Sequence, residues 1–189
     1  IKLINPELVT YSEMIVDKAL IHGDIHHLLA RSPIDHACVL QLGGSEASEI
    51  SEAVAIAEDY GQDHNGYIGY NINVGCPSDR VQSGCFGAVL MHEPERVAAM
   101  FKAMGEKTDK PISIKCRLGV DDQNVDDTLP RFLEVVLGAG CRHVIVHARK
   151  AWLQGLSPKE NRDIPPLDYE LPARLKQSFG ESITMEING

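Results

Sequence analysis

The order of apolar runs predicts an α/β fold of the (β/α)8 TIM-barrel type, incomplete in this chain. Three observations carry that prediction. First, β-like runs alternate with amphipathic helical stretches, which demands parallel strands joined by helical crossovers. Second, roughly six strands are legible, short of the eight that close such a barrel. Third, polar residues gather where the strands stop: Glu13, Gln41, Asn73 with Cys76, Lys115 with Arg117, His147 with Arg149, and Asn188. In a barrel these ends share one face, where the active sites of that fold lie. An open doubly wound sheet also fits the rhythm, but it would spread them along an edge with one switch-point crevice. So many convergent polar ends favour the barrel.

Taken in order, the chain opens on Ile1-Lys2-Leu3-Ile4, which reads as already strand-like and implies a trimmed start. Leu8–Tyr11 is the first strand and Ala37–Leu42 the second, stopping at Gly43-Gly44. A helix follows, with Ser45 as its cap, Glu46 and Glu49 near its positive end, and Ile50, Val54 and Ala57 on one face; Gly61 ends it. Its acidic side, Glu46 to Glu58, reads as a solvated face. Tyr67–Val74 is the third strand. The next helix starts near Pro94, a residue suited to the first helical position, and stops at Gly105. Pro111–Lys115 is the fourth strand, and a helix carrying Leu129, Phe132, Leu133 and Val136 closes around Gly138 to Gly140. His143–His147 is the fifth strand. A long loop rich in Pro, Lys and Arg follows, then a helix with Leu171 and Leu175 ending at Gly180, then a sixth strand over Ile183–Asn188. The whole of 1–189 reads as one domain.

Composition is that of a soluble globular protein, with 43% hydrophobic and 24% charged residues. No apolar run approaches the roughly 20 residues of a membrane span, and no leader is visible, so a cytoplasmic location is expected. Cys38, Cys76, Cys85, Cys116 and Cys141 are scattered and form no C-x-x-C pair, so reduced thiols are expected and neither a disulfide framework nor a zinc site. His26, His27, His36, His64 and His92 form no metal-binding pattern and read as loop or surface positions. The net charge of -9 argues, taken alone, against a nucleic-acid partner.

The most informative stretch is Asn71 to Ser78, where a strand ends at Gly75 and presents Cys76 at its tip, stiffened by Pro77. The glycine lets the backbone turn tightly or approach a ligand. A thiol there can act as a nucleophile or a proton donor; an unperturbed thiol titrates at about 8.5 and is mostly protonated at neutral pH. A buried, inert cysteine is the competing reading. For Lys115 and Arg117 the competing reading is a salt bridge with a mouth acid such as Glu13; for Gln41 and Asn188 it is turn chemistry.

Asn73-Val74-Gly75-Cys76-Pro77-Ser78-Asp79-Arg80-Val81-Gln82-Ser83-Gly84, with Phe86-Gly87-Ala88, closely resembles the active-site signature of tRNA-dihydrouridine synthases, most of all the A subfamily. His147-Ala148-Arg149-Lys150-Ala151-Trp152-Leu153, then Gly155 to Arg162 and Ile164 to Tyr169, form a second long match. Tyr11 to Met14, Leu40 to Gly44 and Lys115 to Asp122 match in family order, so the resemblance covers essentially the whole chain. It implies a flavin-binding barrel lacking its first and last strands and the small helical domain that follows in the family.

The implied reaction reduces a uridine of the tRNA D-loop to dihydrouridine: NADPH reduces FMN, a hydride passes to C6, and a cysteine protonates C5. The resemblance puts that acid at Cys76 and the flavin contacts at Gln41, Lys115, His147, Asn188 and Gly189. An amide at Gln41 can both donate and accept, and a cation at Lys115 suits an anionic reduced ring. It puts tRNA contacts at Asn73, Lys150, Lys159 and Arg162; basic residues of the absent region would reconcile an RNA substrate with the charge. Trp152 is expected to anchor its loop, and Cys116 to face the opposite side of its strand from Lys115. No protein partner is inferred. Two other readings remain open: a flavin barrel acting on a small molecule, like dihydroorotate dehydrogenases, or an inactive, truncated RNA-binding relative.

Overall fold

The computed structural model describes residues 2–78, 81–82 and 84–189. Ile1 of the opening run and Asp79, Arg80 and Ser83 of the signature lie outside the described residues. The strands are β1 (Thr10–Tyr11), β2 (Ile15–Val16), β3 (Cys38–Gly43), β4 (Gly69–Val74), β5 (Ile112–Arg117), β6 (His143–His147) and β7 (Thr184–Asn188). The helices are α1 (Asp17–His22), α2 (Ile25–Leu29), α3 (Ala47–Asp63), α4 (Pro94–Gly105), α5 (Val125–Gly138), α6 (Glu160–Asp163) and α7 (Glu170–Phe179), with 3-10 turns at Gly87–His92 and Gly180–Ser182.

All strand pairs are parallel, and from β3 to β7 each strand lies beside the next in the chain. The sheet is curled and covered by alternating helices, an incomplete (β/α)8 barrel. β1 and β2 both pair with β3, at Tyr11↔Val39 and Ile15↔Leu42. The edge thus takes four steps where β3 takes three, a one-residue bulge that bends the chain at Ser12–Met14.

Strand alternation sorts the side chains. Leu40 and Leu42, Tyr70 and Ile72, Ile114 and Cys116, Val144 and Val146 point outward and are buried beneath the helices. Ile50, Val54 and Ala57 of α3, Val97, Met100 and Met104 of α4, and Leu129, Phe132, Leu133 and Val136 of α5 meet them in one core. Fully burying a side chain of this size contributes about 1.5–3 kcal/mol, so this layer supplies most of the folding drive. Gln41, Asn71, Asn73, Ser113, Lys115, Arg117 and His147 have the opposite parity and face the barrel interior.

The predicted helices are present with adjusted ends. Pro94 occupies the start of α4, Asn124 caps α5 by accepting from Asp126 N–H, and Asp168 accepts from Glu170 and Leu171 N–H at the start of α7. Ser45 does not cap α3: Glu46 stands at that position, and no side chain caps the helix. Gly61 does not end it either; α3 continues to Asp63, and Gly61 allows close approach of Gly66, whose Cα would lie 3.1 Å from an added Cβ. Lys2-Leu3-Ile4 is a turn, not a strand. The short α1 and α2 had no counterpart in the sequence reading.

The acidic side of α3 is not wholly solvated. Glu58 accepts from Tyr70 Oη at 2.6 Å, Thr108 Oγ1 at 2.9 Å and Lys110 Nζ at 2.9 Å, pinning α3 to β4 and to the turn before β5. Burial pushes its carboxyl up, but these three donors outweigh burial and hold it below its usual range. No described helix is long and apolar enough to cross a membrane.

Candidate active site

The C-terminal strand ends bring the predicted residues to one mouth: Gln41 on β3, Asn73 on β4, Cys76 just beyond it, Lys115 on β5, His147 on β6 and Asn188 on β7. Register enforces this, because Asn73 pairs with Lys115 and His147 with both Arg117 and Asn188.

A chain of amides lines the interior. Asn73 Nδ2 donates to Gln41 Oε1 at 2.8 Å, Gln41 Nε2 to Asn71 Oδ1 at 2.9 Å, and Asn71 Nδ2 to Ser113 Oγ at 2.9 Å. Burying so many polar groups is tolerable only because each finds a partner. The other end of Asn73 orders the turn that carries Cys76: its Oδ1 accepts from Gly75 N–H at 3.0 Å and Cys76 N–H at 2.9 Å. The Cys76 carbonyl accepts from Ala88 N–H at 2.9 Å. That contact explains the Phe86-Gly87-Ala88 part of the signature. Gly87 has φ +72, and an added Cβ would sit 2.6 Å from the Cys76 carbonyl oxygen. At Gly75 an added Cβ would meet protein atoms no closer than 3.7 Å, so within the described residues the tight steric need for glycine falls on Gly87.

Cys76 is half-buried, with Sγ 3.6 Å from Ser78 Oγ. Cys116, by contrast, is fully buried on the outer side of β5, and burial pushes its thiol up to about 12. A cleft of about 200 Å³ opens beside Cys76, lined by Asn73, Pro77, Lys115, Arg117, His147 and Arg162 among others.

The electrostatics of this cleft are cationic. Lys115 Nζ donates to Asn188 Oδ1 at 3.0 Å, its one side-chain hydrogen bond among the described residues. Burial, with Arg117 beside it, lowers its pKa against the opposing pull of Cys116 and Glu186. His147 is lowered to about 4, by burial first and then by Arg117, Lys115, Arg149 and Arg162, so at neutral pH it is an uncharged imidazole. Arg117 is buried and stays charged; its guanidinium donates to the carbonyls of Gly75 at 3.2 Å, Lys150 at 3.3 Å and Asn161 at 2.8 Å. It forms no ion pair with Glu13, and neither does Lys115, among the described residues.

The long loop after β6 supplies the other wall. Arg162 reaches the cleft, whereas Lys150 and Lys159 do not line it. Lys150 Nζ instead lies over the Trp152 ring, 5.6 Å from its centroid, and Lys159 is exposed. Gly189 follows β7, its backbone close against Leu167. The sequence reading missed Asn161, which is fully buried. Its side chain accepts from Trp152 N–H at 2.7 Å and donates to the carbonyls of Trp152, Leu156 and Ser157, so one amide folds the loop on itself. It missed Asn71 and Ser113 as well. The only clue was a polar residue at inward parity inside an otherwise apolar strand.

The family model described as Dihydrouridine synthase matches residues 1–189. A tRNA-dihydrouridine(20/20a) synthase of Xanthomonas axonopodis pv. citri is 49% identical over 176 residues, which is 93% of this chain and 51% of the relative. Its namesake from Synechocystis is 49% identical over 179 residues, 95% of this chain and 52% of the relative. That of Shewanella oneidensis is 44% identical over 188 residues, 100% of this chain and 54% of the relative. The chain therefore spans about half the length of these curated relatives. With a matching family model along its full sequence, and the signature cysteine at the mouth of a parallel α/β sheet, the chain belongs to the dihydrouridine synthase family.

Proposed function

We propose that residues 1–189 form part of the flavin-binding catalytic barrel of a cytoplasmic tRNA-dihydrouridine synthase that reduces D-loop uridine with FMN and NADPH. The relatives' names point to positions 20 and 20a as its targets. The observation that carries the reading is the arrangement at one mouth: a half-buried thiol at Cys76 faces a cleft shared with Lys115, Arg117 and His147.

The donor set fits an anionic flavin. Lys115 carries a positive charge, His147 can donate or accept without adding charge, and among the described residues no carboxylate lines the cleft. Bound FMN would supply the hydride that uracil C6 receives, drawn from NADPH. Gln41 would offer its remaining amide hydrogen to the flavin edge, held in orientation by Asn71 and Asn73. Asn188 and Gly189 would stand beside the cofactor at the end of β7. Cys76 would hand its thiol proton to uracil C5, leaving a thiolate that takes a proton back from water. Asn73 would set the acid's position through the Gly75 and Cys76 amides while lying near the base. Arg162 is the tRNA contact nearest the chemistry; Lys150 and Lys159 would meet the phosphate backbone further out.

Separating the two half-reactions tests the proposal. Cys76→Ala should keep bound flavin and its bleaching by NADPH, since that step needs no acid at uracil. Dihydrouridine formed in tRNA should fall at least ~10²-fold. Dihydrouridine made by this variant at the parent rate would remove Cys76 from the mechanism.

A further inference from the structure

The turn that carries Cys76 and the long loop after β6 are fastened to each other by side chains, and the fastening has a feature the chemistry above does not use. The Gln82 side-chain amide spans the gap: Nε2 donates to the Pro77 carbonyl at 2.8 Å and to the Leu153 carbonyl at 2.8 Å. Both hydrogens of one NH₂ group are thus engaged, one on the residue next to Cys76, the other on the residue next to Trp152. Arg117 makes a second, independent link, from Gly75 on one side to Lys150 and Asn161 on the other.

The far loop is itself stiff. Its backbone continues the β5–β6 pairing beyond the sheet, through Leu118 N–H to the Arg149 carbonyl at 3.3 Å, Ala151 N–H to Gly119 at 2.9 Å and Asp121 N–H to Ala151 at 2.8 Å. Asp121 Oδ1 also accepts from Leu153 N–H at 2.8 Å, holding the residue whose carbonyl Gln82 contacts. Gln82 therefore ties the Cys76 turn to a rigid strut that also carries Lys150, Trp152 and, beyond the Asn161 clasp, Arg162.

We propose that Gln82 is a positioning residue. It transmits the placement of the loop after β6 to the thiol of Cys76, so that tRNA seated on that loop sets the geometry of proton delivery. The idea rests on the functional reading above for what the thiol does, but not for the mechanical link. Holding an acid within reach of its target matters because a misplacement of about 1 Å can cost on the order of 10²-fold. Of the side chains near this size, a Gln amide alone offers two donors on an uncharged head. Met has the volume without the hydrogens, and Glu would set a negative charge against two carbonyls.

The test uses the flavin-loaded protein, with Gln82→Met as the main variant and Gln82→Ala beside it. Two measurements are made: dihydrouridine formation against tRNA concentration, and the iodoacetamide alkylation rate of the Cys76-containing peptide without tRNA. For both variants we expect kcat to fall about tenfold, a fraction of that misplacement cost. The KM for tRNA should stay within about twofold, flavin bleaching by NADPH should be unchanged, and Cys76 alkylation should shift severalfold. A Gln82→Met enzyme with the parent kcat and alkylation rate would mean that the residue only fills space. A raised KM with kcat intact would mean that it touches RNA instead. Either overturns the proposal. If the parent made no dihydrouridine at all, the functional reading would fail while the alkylation comparison still decided the mechanical link.

Discussion

The two faces of this sheet obey different rules. The outer face is a continuous apolar layer in which Leu40, Ile72, Ile114 and Val146 are fully buried against helices. The inner face, one residue away along the strands, carries amides, a serine, a lysine, an arginine and an imidazole beside Val39 and Ile145, and its amides, Ser113, Lys115 and Arg117 make directed hydrogen bonds. Two cysteines make the contrast concrete. Cys116, on the outer side, is fully buried and its thiol is pushed up to about 12, which leaves it chemically idle. Cys76, at the inner mouth, borders the cleft. The outer face holds the fold and the inner face is free to hold chemistry, so damage to each should show in a different measurement.

The sharpest break is expected on the outer face. Ile72→Ala or Ile114→Ala should cost about 2–5 kcal/mol by removing packed methylenes and leaving a cavity. Denaturant midpoints would record the loss, while activity per folded molecule should hold. Lower specific activity at unchanged stability would blur the division. Next comes the inner face, where Asn73→Ala leaves two backbone N–H groups and the Gln41 carbonyl without partners. The expected penalty is about 1–3 kcal/mol, together with a fall in dihydrouridine formation that Ile72→Ala should not show. Lys115→Ala should leave the melting temperature nearly unchanged but weaken FMN binding by roughly tenfold, the scale of one charge-assisted hydrogen bond. Flavin retention measured after gel filtration would reveal it, and full retention would take Lys115 out of the cofactor site.

A last effect, visible only on acidification, is a pH dependence. His147 titrates near 4 when folded, against 6.5 for a free imidazole. Between those values the unfolded chain binds a proton that the folded chain refuses, so stability should rise with pH through that window and drop as pH falls from 6.5 toward 4. His147→Gln removes this titration. The parent should therefore lose ground to the variant as the solution is acidified, and a parent that gained ground would show the imidazole to be charged in place.

Much of this was legible in the sequence, for identifiable reasons. The strands and long helices carry strong periodicity, and polar residues stood out where apolar runs stopped, so Gln41, Lys115, His147 and Asn188 could be placed at one mouth. The short helices α1 and α2 could not be read: Asp17–His22 begins without a side-chain cap, and Ile25–Leu29 is too brief to show a stripe. Glu58 looked solvated because the residues that claim it, Tyr70, Thr108 and Lys110, come from other elements. Arg117 was noticed only as a candidate ion pair. Its three carbonyl partners belong to segments whose meeting is a tertiary fact, as is the Asn161 clasp. Lys150 and Lys159 were grouped with Arg162 because they share its loop in the family resemblance, yet of the three only Arg162 lines the cleft.

The sheet order has a consequence for how the chain breathes. From β3 to β7 every strand neighbours its predecessor in the chain, so each βα unit can dock on the one before it without waiting for a distant segment. β4 and β5 are flanked by strands on both sides, and Ile72 and Ile114 on them are fully buried. The short helix α2, by contrast, leaves His26 and His27 exposed. Amide hydrogens of Ile25–Leu29 should exchange with deuterated water well before those of Ile72 and Ile114. Asn73 shares its strand with Ile72, so the side chain that accepts from the Gly75 and Cys76 N–H groups should keep its place while the outlying helices open.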